Sequence, residues 1–82
     1  MDSQELVELL NYYDCEVVKQ ICHKYGLSAD VALRRFVGSQ TYQMLRNPKM
    51  AMWEFSPLGI FDIWESEQVT GNPRNSLYIR RD

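Results

Sequence analysis

The chain has 82 residues, a hydrophobic share of 45% and a formal charge of -2 at pH 7, which is the size of one small domain. A near-balanced charge disfavours a nucleic-acid binder, which usually carries a clear basic excess, and the hydrophobic share is that of a folding chain rather than a disordered one. No apolar run approaches the roughly 18 residues of a membrane span, and the acidic start Met1-Asp2-Ser3-Gln4-Glu5 lacks the basic-then-apolar order of a signal peptide, so a cytoplasmic protein is expected.

Asp2 and Glu5 stand at capping-box spacing and open the first helix. Leu6, Leu10, Tyr13, Val17, Ile21 and Tyr25 then recur in steps of three and four, with Leu9, Val18 and Cys22 widening the stripe. Asn11 to Asp14 is a soft spot where Asp14 could cap a second helix, but the stripe runs across it and predicts one helix with a kink or tight break. Gly26 ends that helix in the manner of a left-handed C-terminal residue.

Ser28 is an N-cap, with Asp30 in the first turn where negative charge suits the helix dipole. Val31, Ala32, Leu33, Phe36, Val37, Gln40, Met44 and Leu45 form the next stripe. Gly38 costs about 1 kcal/mol inside a helix relative to Ala and marks a break, after which Ser39 can cap a further segment. Asn47-Pro48 stops that element, because proline disfavours helix in the residue before it. Lys49 to Phe55 reads either as an extended connector or as a turn of helix.

Ser56-Pro57 pairs an N-cap with proline at the first helical position, and the helix that follows turns Ile60, Phe61, Trp64 and Val69 to one side. Thr70-Gly71-Asn72-Pro73 is a turn cluster. Beyond it, Ser76 to Arg81 alternates as a strand does, and a lone strand needs a partner. The expected fold is all-α: a bundle of three to four helices over residues 1–73, with an extended or frayed tail over 74–82.

Catalytic and metal signatures are missing from the sequence. Cys15 and Cys22 would lie about 10 Å apart along a helix, too far for a disulfide, and both are expected to be buried thiols. With His23 they give Cys-x6-Cys-His, which matches no common zinc spacing. Glu54, Asp62, Glu65 and Glu67 are expected to form a solvated acidic face rather than an acid/base pair. Ser56 has a sufficient role as a cap, and no nucleophile elbow or phosphate-cradling glycine loop appears. No enzyme activity, cofactor or metal is therefore expected.

Aromatic side chains set the alternative. Trp53, Phe55, Phe61 and Trp64 fall within thirteen residues, Met52 to Trp64, more than a core this small needs. Trp, Tyr and Arg are the usual interface anchors, so Trp53, Phe55, Tyr78, Arg80 and Arg81 are the candidate contacts for another protein. A second reading takes residues 18–37 as a helix-turn-helix, with Arg34 and Arg35 near DNA. A marginal core with surplus apolar surface also points to a homodimer.

The residues Tyr25-Gly26-Leu27-Ser28, Ala32-Leu33, Phe36, Thr41-Tyr42 and Leu45, then Trp53-Glu54, Ser56-Pro57, Ile60 and Asp62, carry a resemblance. Over residues 25–67 the chain resembles small uncharacterised helical proteins of anaerobic gut bacteria, whose members resemble components of short operons that also encode an ADP-ribosyltransferase-like protein. That resemblance implies a small intracellular accessory protein, the antitoxin-like or adaptor member of a toxin–antitoxin pair, and transfers no catalytic residue. The expected function is thus a non-enzymatic protein-interaction module whose partner is an operon-encoded toxin.

Overall fold

The computed structural model describes residues 3–50 and 52–76. Four α-helices follow in chain order: α1 (Ser3–Tyr25), α2 (Ala29–Val37), α3 (Gln40–Arg46) and α4 (Pro57–Thr70). Two 3-10 turns, Pro48–Met50 and Met52–Glu54, lead from α3 to α4, and a third, Pro73–Asn75, follows α4. The fold is all-α, with no strand among the described residues.

Each boundary has a local cause. Ser28, Ser39 and Ser56 are extended residues whose hydroxyl oxygens accept from the N–H groups of Val31, Tyr42 and Gly59 respectively. Each satisfies one of the amides that a helix start leaves unpaired, worth about 1 kcal/mol. Ser39 also donates to the Phe36 carbonyl at 2.6 Å, so one hydroxyl closes α2 and opens α3. The soft spot at Asn11 to Asp14 does not break the chain, and α1 runs through it for 23 residues. Gly26 and Gly71 have φ of +68° and +81°, the left-handed conformation that ends helices. A Cβ on Gly71 would meet no atom within 4 Å, so Gly71→Ala is expected to lose about 1 kcal/mol through backbone strain alone. A thermal melt checks this, and an unchanged melting temperature would contradict it.

The core takes Tyr13, Val17 and Ile21 from α1, Ala32 and Phe36 from α2, Tyr42 and Leu45 from α3, and Ile60, Phe61, Ile63 and Trp64 from α4. Phe36 meets Tyr42 edge-on at 5.2 Å between ring centroids, the arrangement aromatic quadrupoles favour. α4 packs on α1 and α3, α2 packs on both of those as well, and the last 3-10 turn lies against α4. The molecule measures 35 × 34 × 18 Å. Helices pack about 8–10 Å apart, so the short dimension holds two layers and leaves no room for a deep interior cleft.

Several expectations from periodicity are corrected. Cys15 is exposed and Cys22 half-buried, and neither forms a disulfide. At about 100° per residue, Cys15 sits far around α1 from Val17, which marks the core-facing line. Val69 is 82% exposed because five residues from Trp64 is about 140° around the helix rather than back to the same face. Of the two readings of the segment before Ser56, the turn of helix holds, as the 3-10 turns Pro48–Met50 and Met52–Glu54. Residues 74–76 belong to the packed body: Ser76 is buried and its hydroxyl donates to Asp62 at 2.7 Å. The rest of the expected tail, with Tyr78, Arg80 and Arg81, lies outside the described residues.

Candidate interaction surface

The turn at Gly26 to Ser28 lays α2 against α1 but leaves their shared edge open. A groove of about 530 Å³ runs there, lined by Asn11, Asp14, Cys15, Val18 and Lys19 of α1 and by Ala29, Asp30 and Leu33 of α2. Its position follows from helix geometry. Val17 points to the core, and Asn11, Asp14 and Val18 fall about 60–120° to one side of it. On α2, Phe36 points inward, and Leu33, offset by about 60°, remains 40% exposed at the groove.

Charge is unevenly placed within this groove. Lys19 reaches back to Glu16 at 3.4 Å, and Arg34 holds Asp30 at 2.5 Å, four residues away on the same helix. Asp14 is different. Its Oδ1 is sheltered from solvent and has no hydrogen-bond partner among the described residues. Burial pushes its carboxyl above the ordinary aspartate range, a rise that the hydrogen bond from the Tyr42 hydroxyl opposes without cancelling. Tyr42 is raised in turn, first by its own burial and then by the Asp14 charge, with Arg46 pulling the other way.

A second cleft of about 350 Å³ lies between the end of α1, α2 and α4, lined by Tyr25, Leu27, Arg35, Trp64, Gln68 and Val69. Trp64 is 2% exposed, and its Nε1 has no hydrogen-bond partner among the described residues. Tyr25 meets the Trp64 ring edge-on at 6.1 Å, and its hydroxyl donates to Glu65. Lys24 pairs with the same carboxylate at 2.6 Å. Burial alone would raise Glu65, but the Lys24 ammonium and the Tyr25 hydroxyl outweigh it and hold the carboxyl below the usual range.

The residues singled out from the sequence are dispersed. Trp53 is half-buried, and its Nε1 donates to the Leu45 carbonyl at 3.0 Å. Phe55 is half-buried against the core, and its carbonyl accepts from the Tyr13 hydroxyl at 2.6 Å. Both side chains thus hold the connector onto the bundle. Arg34 and Arg35 are exposed on α2, the first engaged with Asp30 and the second beside the second cleft. His23 is exposed, and no group of three or more His, Cys, Asp or Glu that could hold a metal occurs among the described residues.

The expected acidic face is mostly a set of ties between elements. Glu54 is exposed, but Asp62 accepts from Ser76, Glu65 pairs with the end of α1, and Glu67 caps α3. Asp14 was missed as a site residue. The signal was present: Leu10, Asp14 and Val18 share one helical face, so a carboxylate interrupts an apolar edge.

No helix of the described residues is long and apolar enough to cross a membrane. No family model, curated protein or solved structure matches the chain significantly.

Proposed function

We propose that this chain is a non-enzymatic module that acts by binding another protein, and that the groove between α1 and α2 is its contact surface. The observation that carries this is an open, largely apolar groove of about 530 Å³ at the edge of a two-layer bundle. A concave surface with apolar walls and a few polar groups is the usual form of a recognition site. In this reading the protein works in the cytoplasm, where its two thiols stay reduced, and its partner is the product of a neighbouring gene, with an operon-encoded toxin the first candidate. Self-association belongs to the same reading, since Val7, Tyr12, Val37, Leu58 and Val69 are also more than a third exposed and a homodimer would cover part of that surface.

Co-expression with the products of adjacent genes, with purification through a tag on this chain, tests the reading. Co-elution of one partner is expected, and Leu33→Glu, which places a charge on the groove wall, is expected to release it while the helical circular dichroism spectrum is retained. Recovery of no specific partner, or a partner held equally by the Leu33→Glu protein, would remove the groove as the contact surface. Light scattering on the purified chain alone is expected to give the dimer mass, and a monomer mass at high concentration counts against self-association.

A further inference from the structure

We propose that the outer face of α1 receives a second copy of this chain, whose own α1 lies antiparallel against it. This rests on the self-association in the reading above, and names the surface, the direction of the two helices and the contacts that fix them.

Glu8, Tyr12, Cys15 and Lys19 follow one another at steps of four, three and four, and all are exposed. At about 100° per residue they fall within about 60° of one another, on the side of α1 opposite Val17, which faces the core. Steps of this kind place side chains in the seam between two paired helices. A twofold contact must bring residue i of one copy to residue j of the other, and j to i. The spacing meets that condition in an antiparallel register whose twofold axis crosses between Tyr13 and Asp14. Tyr12 is then level with Cys15 of the second copy, and Glu8 with its Lys19. Opposite charges meet twice, at the ends of the contact, and the ring and the thiol meet at its middle. A parallel pairing would instead set Glu8 against Glu8 and Lys19 against Lys19.

Tyr12 suits the role of anchor. It is 53% exposed, and Tyr13 meets its ring edge-on at 5.6 Å, so less freedom is lost on contact. Lys19 has an exposed tie to Glu16 at 3.4 Å. A surface pair of that kind contributes little, which leaves the ammonium available to Glu8 of the second copy. These charge pairs set direction and register, while the tyrosine supplies most of the buried area.

Sedimentation equilibrium of the full chain reads the dimer dissociation constant. Glu8→Lys alone and Lys19→Glu alone are each expected to raise it about tenfold, because each turns two attractive pairs into two repulsive ones. Combining Glu8→Lys with Lys19→Glu is expected to restore the parent value, with the circular dichroism spectrum unchanged throughout. In this register the two Cys15 residues lie about 4.5 Å apart along the helix axis and the two Cys22 residues about 25 Å apart. A short bismaleimide is therefore expected to join parent dimers through Cys15 and to leave the Cys15→Ser protein unlinked. Single reversals without effect, a double exchange as weak as the singles, or linkage through Cys22 would overturn the proposal.

The two levels separate cleanly. A dimer indifferent to the charge exchange would keep self-association and sink this face. A monomeric parent that still captures the product of a neighbouring gene would sink this face and keep the interaction module.

Discussion

Replacing Glu67 by alanine is expected to lower stability by about 2–3 kcal/mol, or about 10–20 °C in Tm for a domain of this size. The carboxylate of Glu67, on α4, accepts from the Gln40 N–H at 2.9 Å, from the Thr41 N–H at 2.8 Å and from the Thr41 hydroxyl at 2.7 Å. α3 has only seven residues, far below the length at which an isolated helix holds itself together. Its first amides have no intrahelical acceptor. Ser39 takes the Tyr42 N–H, and Glu67 takes the two before it. The negative charge also sits at the positive end of the short helix dipole.

One side chain thus supplies a cap to α3 and a tie between α3 and α4. Glu67→Gln retains the shape but loses the charge and one acceptor oxygen, so an intermediate loss is expected. Urea denaturation of the three proteins gives the ordering. A Glu67→Ala protein within about 0.5 kcal/mol of the parent, the range of an ordinary surface substitution, would show that the cap contributes little.

Asp14→Leu made together with Tyr42→Phe, so that the buried Tyr42 hydroxyl is not left without its acceptor, is expected to act in the opposite direction, raising stability at neutral pH by about 1 kcal/mol, because a sheltered polar pair with one oxygen unpartnered is replaced by apolar groups. Leucine would also continue the apolar edge between Leu10 and Val18. The pH dependence follows from the direction of the shift. The Asp14 carboxyl lies above its ordinary value of 3.8 in the folded protein, so the fold binds its proton more tightly than the unfolded chain does. Its contribution to stability is full below that ordinary value and is lost as pH rises through the folded value.

The advantage of leucine should therefore be greatest at neutral pH and shrink towards about pH 4 and below, where an unperturbed aspartate is protonated. Glu65 works the other way: its folded value is depressed below 4.5, so its contribution is present above that value and is lost as pH falls through the folded one. Denaturation curves of parent and variant across the acid range separate the two groups, because the difference between the proteins cancels Glu65. A double variant less stable than the parent at neutral pH would refute the account of Asp14.

Helix punctuation was readable without coordinates. Ser28, Ser39 and Ser56 as caps, Gly26 as the end of the first helix and Pro57 at the start of the last are local preferences, set by a few neighbouring residues, and all recur in the fold. Leu10, Tyr13, Val17 and Ile21 marked the core face of α1 for the same reason, since a period of 3.6 leaves little choice of side. Binary pattern says much less about the edges of a stripe. Val69 and Leu33 read as core yet stand partly or largely exposed, and Cys15 read as buried yet lies at the mouth of the groove.

The acidic residues are the sharpest case. Nothing local distinguishes Glu67, which reaches 26 residues back to Thr41, from Glu54, which faces water. Sequence alone settled that this is a helical chain, where α2, α3 and α4 begin and α1 ends, and which stripe of α1 faces inward, because those features follow from backbone sterics, capping and period. Tertiary structure alone decided that α2 leaves an open groove on α1, that Asp14 lies sheltered within it, and that Glu67 closes α3. Those outcomes depend on distances between segments far apart in the chain, which no local preference encodes.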